Sequence, residues 1–216
     1  HWTCNPFDSG KAHAESRHCR SKPATMPAFL TDVLLDICMA LKATIYKAEL
    51  MVSDMDRHHY ATYPLTIALH PSETLERMMV RLVAFALNAA DNLEFTRGLS
   101  TDDEPDLWAR SLSDEIELWI ELGQPDEKRI RKASNRAKKV IVYTYHGRAA
   151  NLWWEQIEKV CSRFDNLQVI DLAAEAVSQL EGLADRTMQL QANIQDGVLW
   201  LGSGDKSVEI APQSRR

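Results

Sequence analysis

Two acids stand at a spacing that phosphodiester chemistry can use. Asp106 follows Pro105 in "DEPDLW", and Glu121 closes the run "ELWIEL" fifteen positions later. Cutting a phosphodiester calls for a hard cation that neutralises charge on the phosphoryl oxygens and lowers the pKa of the attacking water. Magnesium does this on one or two carboxylates plus waters, without a cage made wholly of protein. Asp106 at one strand edge and Glu121 at the end of the next strand are the expected ligands of such an ion, with manganese as its substitute. Each acid also has an ordinary reading. Asp106 fits a turn after proline, and Glu121 fits a solvated position on a half-exposed strand.

A cationic stretch begins just beyond Glu121. Residues 128–139, "KRIRKASNRAKK", hold seven Lys or Arg and no acid. On a helix, Arg129, Lys132 and Arg136 fall within about 60° of one another, beside an apolar stripe of Ile130, Ala133 and Ala137. They are the candidate nucleic-acid contacts, with a solvated helix face as the competing reading. Gln124 is expected to position water or phosphate. Lys132, with Arg129 as the other candidate, is expected to stabilise developing charge. Glu117 and Glu76 are weaker ligand candidates. Trp119 belongs under a neighbouring helix more readily than against a base.

Several other chemistries find no support. GxSxG and HExxH are absent. "GSGDKS" at 202–207 ends like a phosphate loop, but Asp205 would repel phosphate and the segment reads as a hairpin turn. His58 and His59 are adjacent, so on a strand they would point to opposite faces; surface or hairpin positions suit them better.

The elements that must position these residues are legible from Met39 onward. "TIYKAEL" and "YATYPLTIAL" read as a pair of antiparallel strands around "SDMD". "HPSETLERMMVRLVAFALNAA" is the clearest helix. Leu75, Met78, Met79, Leu82, Val83 and Ala86 form its apolar face, Ser72 is a candidate cap, and Glu73, Glu76, Arg77 and Arg81 occupy its other side. "LEFTRGLS" is a short strand candidate. "EIELWIEL" alternates strictly, with Glu121 on the face of Glu117 and Trp119. A helix over about 126–138, a strand "VIVYTY", a helix "NLWWEQIEKVCSRF", a strand "NLQVIDLA" and a helix "AAEAVSQLEGLA" follow. Strand and helix alternating in this way indicate a partly parallel sheet covered by helices. The tail "MQLQANIQDGVLWLGSGDKSVEIAP" predicts three antiparallel strands able to join the N-terminal pair.

The chain of 216 residues carries a net charge of −6, 45% apolar and 26% charged residues. That balance fits a globular protein and not one coated with nucleic acid, although a local basic patch still acts locally. No apolar run is long enough for a membrane span, and cysteine use suggests a reducing cytoplasm. Cys161 sits among apolar neighbours as a buried thiol. Residues 1–38 lack periodicity and read as a disordered leader, either upstream translated sequence or foreign to the native protein, whose Cys4, His13, His18 and Cys19 match no standard zinc finger. Residues 39–216 read as one domain.

"PDLW" followed by a strand-borne "IELGQP" resembles the PD-(D/E)XK nuclease superfamily. More closely, "MALKATIYKAEL", "SDMDRHHYATYPLTIALHPSET", "GLSTDDEPDLW", "ELWIELGQPDEKRIRKASNRAKKVIVY" and "RFDNLQVI" resemble the YaeQ family nearly end to end from Met39. The resemblance implies an α/β fold with a mixed sheet, a restriction-endonuclease-like core flanked by helices, and antiparallel strands from the N- and C-terminal parts. It also implies that Met39 is the native start. The chain departs from the superfamily pattern two residues after Glu121, where Gly123 replaces the expected lysine. Two functions are therefore expected as alternatives. One is a magnesium-dependent nuclease acting on DNA or RNA through Asp106, Glu121, Gln124 and Lys132. The other is a non-catalytic domain that keeps the fold and binds nucleic acid or protein.

Overall fold

A computed structural model describes residues 43–96 and 103–216. The leader, its cysteines and histidines, Cys38 and the Met39 start lie outside the described residues. So does most of the turn before Asp103.

Strict polar–apolar alternation makes two long strands, β1 (Thr44–Asp54) and β2 (His59–Leu69), paired antiparallel. His58 occupies the left-handed region of their turn, at φ 54°. The segment with the longest apolar face forms α1 (Leu75–Leu87). Its N-cap is Thr74, whose hydroxyl accepts the Arg77 N–H at 3.1 Å, and not Ser72. Ser72 sits in the preceding turn, bonding His70.

A short β3 (Leu93–Phe95) pairs with β4 (Leu107–Arg110), and β4 pairs with β5 (Ile116–Leu122), both antiparallel. Helix α2 (Glu127–Arg136) then leads directly into β6 (Ala137–Thr144), which lies parallel to β5. Helix α3 (Arg148–Cys161) returns the chain to β7 (Leu167–Asp171), parallel to β6. After α4 (Ala174–Leu180) and one 3-10 turn come β8 (Thr187–Gln195), β9 (Val198–Ser203), β10 (Lys206–Ile210) and the two-residue β11 (Gln213–Ser214).

These strands form two mixed sheets. The first runs β10-β9-β8-β1-β2 and the second β11-β7-β6-β5-β4-β3. The C-terminal meander joins the N-terminal pair as expected, with β8 parallel to β1. One core lies between the sheets around α1, where Met78, Leu82, Phe85, Leu107, Ile120 and Tyr143 meet. A second core covers the other face of the second sheet, where Trp119, Ile130, Val140, Val142 and Ile157 lie beneath α2 and α3. Each large side chain buried this way contributes about 1.5–3 kcal/mol. The second sheet is thus covered on both faces, as parallel strands require. None of the helices among the described residues is long and apolar enough to cross a membrane.

Candidate functional site

The register Leu107↔Ile120 carries Asp106, one step before β4, to the level of Glu121 on β5. The Asp106 N–H donates to the Ile120 carbonyl at 3.0 Å, and the Thr96 N–H donates to the Asp106 carbonyl at 3.2 Å. Both acids are buried, Asp106 at 2% exposure and Glu121 at 4%. Neither is the solvated turn or strand acid of the ordinary reading. Burial of carboxylates demands partners, and each acid has found its own.

Asp106 is held from the side of α1. Its Oδ1 meets Arg77 at 2.5 Å, and its Oδ2 accepts the Leu122 N–H at 2.9 Å. Arg77 also donates to Glu73 at 2.9 Å, and Glu73 accepts from Arg81 at 2.8 Å. The result is a buried row of alternating charge, Asp106–Arg77–Glu73–Arg81. The side opposite the apolar face is thus buried as well, with Arg81 and Glu73 only 3% exposed. They are enclosed because β2 and Phe95 close over them: Arg81 donates to the Ala68 carbonyl and stacks against the Phe95 ring.

Glu121 is held from the side of α2. Its Oε1 takes the Trp119 indole N–H at 2.7 Å and Arg129 Nε at 2.9 Å. Burial, opposed by Arg129 and aided by the nearby charge of Asp106, pushes the Glu121 carboxyl up to about 7. Trp119 is wholly buried and so packs under the helix, with Arg136 over its ring at 5.4 Å.

Local sequence explains how α2 arrives there. Gly123 ends β5 at φ 93°, with its N–H donated to the Tyr143 carbonyl at 2.8 Å. No atom crowds a Cβ at that position, so the preference for glycine is conformational. A lysine here would be strained. Pro125 and the N-cap Asp126, whose carboxylate accepts the Arg129 N–H at 2.7 Å, then start the helix.

At the start of α2 a cleft of about 590 Å³ is lined by Asp103, Gln124, Asp126, Lys128, Arg129 and Lys132, of which Arg129 is the residue that touches Glu121. Gln124 is exposed on its rim. The Lys132 ammonium meets the Asp103 carboxylate, Arg136 donates to the Asp103 carbonyl at 3.1 Å, and Arg129 donates to the Glu104 carbonyl at 2.7 Å. The cation that touches Glu121 is therefore Arg129, while Lys132 stands at the rim. Glu117 lies apart, exposed and hydrogen-bonded by Asn92. Glu76 lies 4.0 Å from His146.

Sequence reasoning missed Arg77, Glu73 and Arg81 as site residues. The available signal was the Glu73–Arg77–Arg81 spacing at intervals of four, on a helix otherwise apolar. His58 and His59 hold hairpin positions, with His59 bonded to the Tyr63 hydroxyl at 2.8 Å.

The donor set fits a hard divalent ion in kind and in charge. Each of the two carboxyl groups is met by a guanidinium group. No group of three or more potential metal-ligating side chains occurs among the described residues, so an ion here would rely on water for its remaining contacts, the arrangement magnesium favours.

The family described as YaeQ protein matches residues 39–212. An Escherichia coli K12 protein called uncharacterized protein YaeQ is 52% identical over 172 residues, covering 80% of this chain and 95% of that protein. The Salmonella typhi protein of the same name is equally similar, with the same coverage. Among solved structures, the YaeQ protein from Xanthomonas axonopodis pv. citri shares 50% identity with a TM-score of 0.78, covering 81% of this chain and 98% of that one. The YaeQ protein from Pseudomonas syringae shares 33% identity with a TM-score of 0.77, covering 81% and 96%. With the family match spanning most of the sequence and half or more of the residues shared with several bacterial relatives, the chain belongs to the YaeQ family.

Proposed function

We propose that the chain is a magnesium-dependent phosphodiesterase acting on DNA or RNA in the cytoplasm, built on a restriction-endonuclease-like core formed by the second sheet. The observation that carries this reading is the level pairing of Asp106 with Glu121, two nearly buried carboxylates, the second met by Arg129 from a cleft rimmed with cations. Asp106 and Glu121 would hold the magnesium, which would supply charge neutralisation at the phosphoryl group and activation of water. The rest falls to the chain's own residues. Arg77 and Arg129 act as resting counter-ions, occupying the carboxylates while the ion is away. Arg77, gripped by Glu73 as well, holds the Asp106 carboxylate in place. Arg129 then meets a phosphate instead of Glu121. Gln124 orients phosphate or water at the rim, and Lys132 and Arg136 follow the backbone of the nucleic acid.

A second reading has its own observation. Each carboxylate already owns a guanidinium at 2.5–2.9 Å, and a permanently neutralised pair would leave a binding domain with a basic helix and no catalysis. Manganese titration separates the two. In the wild type, saturating Mn²⁺ should raise stability by about 2.7 kcal/mol at a hundredfold excess over Kd, measured by thermal unfolding. The rise should vanish in Asp106→Asn and Glu121→Gln. Absence of any saturable rise in the wild type overturns the metal reading. Metal binding with no cleavage of DNA or RNA at high enzyme concentration leaves the non-catalytic domain.

A further inference from the structure

The polar turn after β1, carrying Asp54, Asp56 and Arg57, plays no part in the acid pair. It lines a separate cleft of about 270 Å³ that lies between the two sheets beside the end of α1. The opposite wall is the face of β6 and β7 that carries Lys139, Ile141, Tyr143, Gln168 and Ile170. This cleft shares no lining residue with the one at the start of α2.

Its acids are already engaged. Asp54 is 2% exposed, with Oδ1 accepting the Arg57 N–H at 2.9 Å and Oδ2 the Arg57 Nε at 2.5 Å. Asp56 accepts the N–H groups of Asp196 and Gly197 at 2.9 and 2.8 Å. Its donors are not all engaged. Tyr143 is 2% exposed, and its hydroxyl accepts from Asn88 Nδ2 at 2.8 Å. The same Nδ2 donates to the Ala84 carbonyl at 2.9 Å, which fixes the amide and keeps its oxygen away from the phenol. The phenol proton therefore has no acceptor among the described residues, although a buried polar group ordinarily finds one. Burial pushes the phenol up to about 12, so the proton is present at neutral pH. Arg57 spends Nε on Asp54 and Nη1 on the Ala89 carbonyl at 3.2 Å, which leaves Nη2. Arg57 and Tyr143 meet at the end of α1, because the residues they bond, Ala89 and Asn88, are consecutive. Lys139 is exposed and pairs with no acid among the described residues.

Tyr143, Arg57 and Lys139 thus offer three unspent donors to one cleft, two of them cationic. The acceptor that suits such donors is an anion. The formal charges of the lining cancel, Asp54 and Asp56 against Arg57 and Lys139, so a ligand bearing several charges does not suit it. Its volume lies between the about 150 Å³ that admits a benzene and the roughly 300 Å³ where pockets for drug-sized ligands begin. We infer that this cleft binds a small apolar monocarboxylate. Its oxygens accept from the Tyr143 hydroxyl and Arg57 Nη2, Lys139 attracts its charge, and Ile141, Ile170 and Ile194 cover its hydrocarbon body. The metal reading of Asp106 and Glu121 is not needed for this site.

The test titrates the full chain with phenylacetate and with 4-methylpentanoate, by calorimetry and by nitrogen–proton correlation spectra. At least one should bind saturably at millimolar concentrations, moving the amide signals of Gly197 and Gln168 and leaving that of Gln124 in place. Phenylacetamide, which has the shape without the charge, and acetate, which has the charge without the body, should bind at least tenfold more weakly. Tyr143→Phe should lower affinity about tenfold to a hundredfold, the effect of losing one hydrogen bond to a charged group. Should Tyr143→Phe fail to fold, Lys139→Glu carries the test. It alters an exposed side chain, so the melting temperature should hold while affinity falls several-fold. A wild type that binds neither carboxylate overturns the inference. So does equal binding of phenylacetate and phenylacetamide, which means an apolar cleft only. Inorganic phosphate competing as well as phenylacetate also overturns it, as does wild-type affinity in Lys139→Glu.

Discussion

Asp106 and Glu121 sit level on neighbouring strands, yet the two halves of the site are held differently. The Asp106 half is locked into the fold: its counter-ion Arg77 is itself gripped by Glu73, and Glu73 by Arg81, all enclosed between α1, β2 and Phe95. The Glu121 half is adjustable. Its counter-ion Arg129 comes from the rim of a solvent-filled cleft, and its carboxyl lies poised near neutrality. A fixed ligand beside one that can exchange a proton and a partner is what a cation-binding site needs if it is to fill and empty. Two equally locked acids would describe a structural ion-pair cluster.

The largest effect that can break this comparison lies at the two arginines. Arg77→Met strands Asp106 and half-strips Glu73 inside the core. Removing one partner of a buried ion pair typically costs about 3–5 kcal/mol, read as the free energy of urea unfolding. Arg129→Met should cost clearly less, and least at pH 6, because Glu121 can take up a proton when its cation goes. Equal losses at the two positions, unchanged by pH, would erase the distinction between a locked and an adjustable half.

The next effect is pH dependence at Glu121. Its carboxyl is raised from 4.5 to about 7 in the folded protein, first by burial. Across that window the native state holds a proton that the unfolded chain has already lost, so stability falls as pH rises. The stabilisation is complete below 4.5 and gone above about 7, amounting to at most about 3 kcal/mol. Glu121→Gln should flatten that part of the wild-type curve of stability against pH. A variant whose pH profile runs parallel to the wild type's would mean that the Glu121 carboxyl holds no extra proton in the folded protein.

How far the sequence discloses these two halves differs as well. The alternation in "EIELWIEL", the stripe of Ile130 and Ala133, and the apolar face of α1 are local periodicities, and they place β5, α2 and α1 within a few residues of where they lie. The Glu121 side is assembled from residues close in sequence, Trp119, Glu121, Gly123 and Arg129, so much of it could be read in advance. The Asp106 side depends on contacts 29 residues apart, between Arg77 and Asp106. Charge on a helix looks the same in sequence whether water or Phe95 covers it, and periodicity therefore places Glu73 and Arg81 opposite the apolar face without showing what covers them. Likewise the vacancy at Gly123 looked like a lost catalytic lysine, whereas the backbone at φ 93° would strain a lysine there.

The smallest expected effect concerns the rim. Asp103 is 86% exposed and its carboxylate meets Lys132, which holds it below the usual range, chiefly through that hydrogen bond. Exposed pairs of this kind contribute little to stability, so Asp103→Asn should leave the melting temperature where it is. It should, however, release Lys132 for phosphate and tighten oligonucleotide binding by a few fold. Lys132→Glu should act in the opposite sense, and its signature is the salt dependence: losing one phosphate contact lowers the slope of log affinity against log salt by about 0.7–0.9. The α1 side offers no equivalent, because Arg77 and Arg81 are committed to the buried acids Asp106 and Glu73. A salt slope that Lys132→Glu leaves unchanged would move nucleic acid off the adjustable half altogether, and the proton poised on Glu121 would then have to be explained by burial alone.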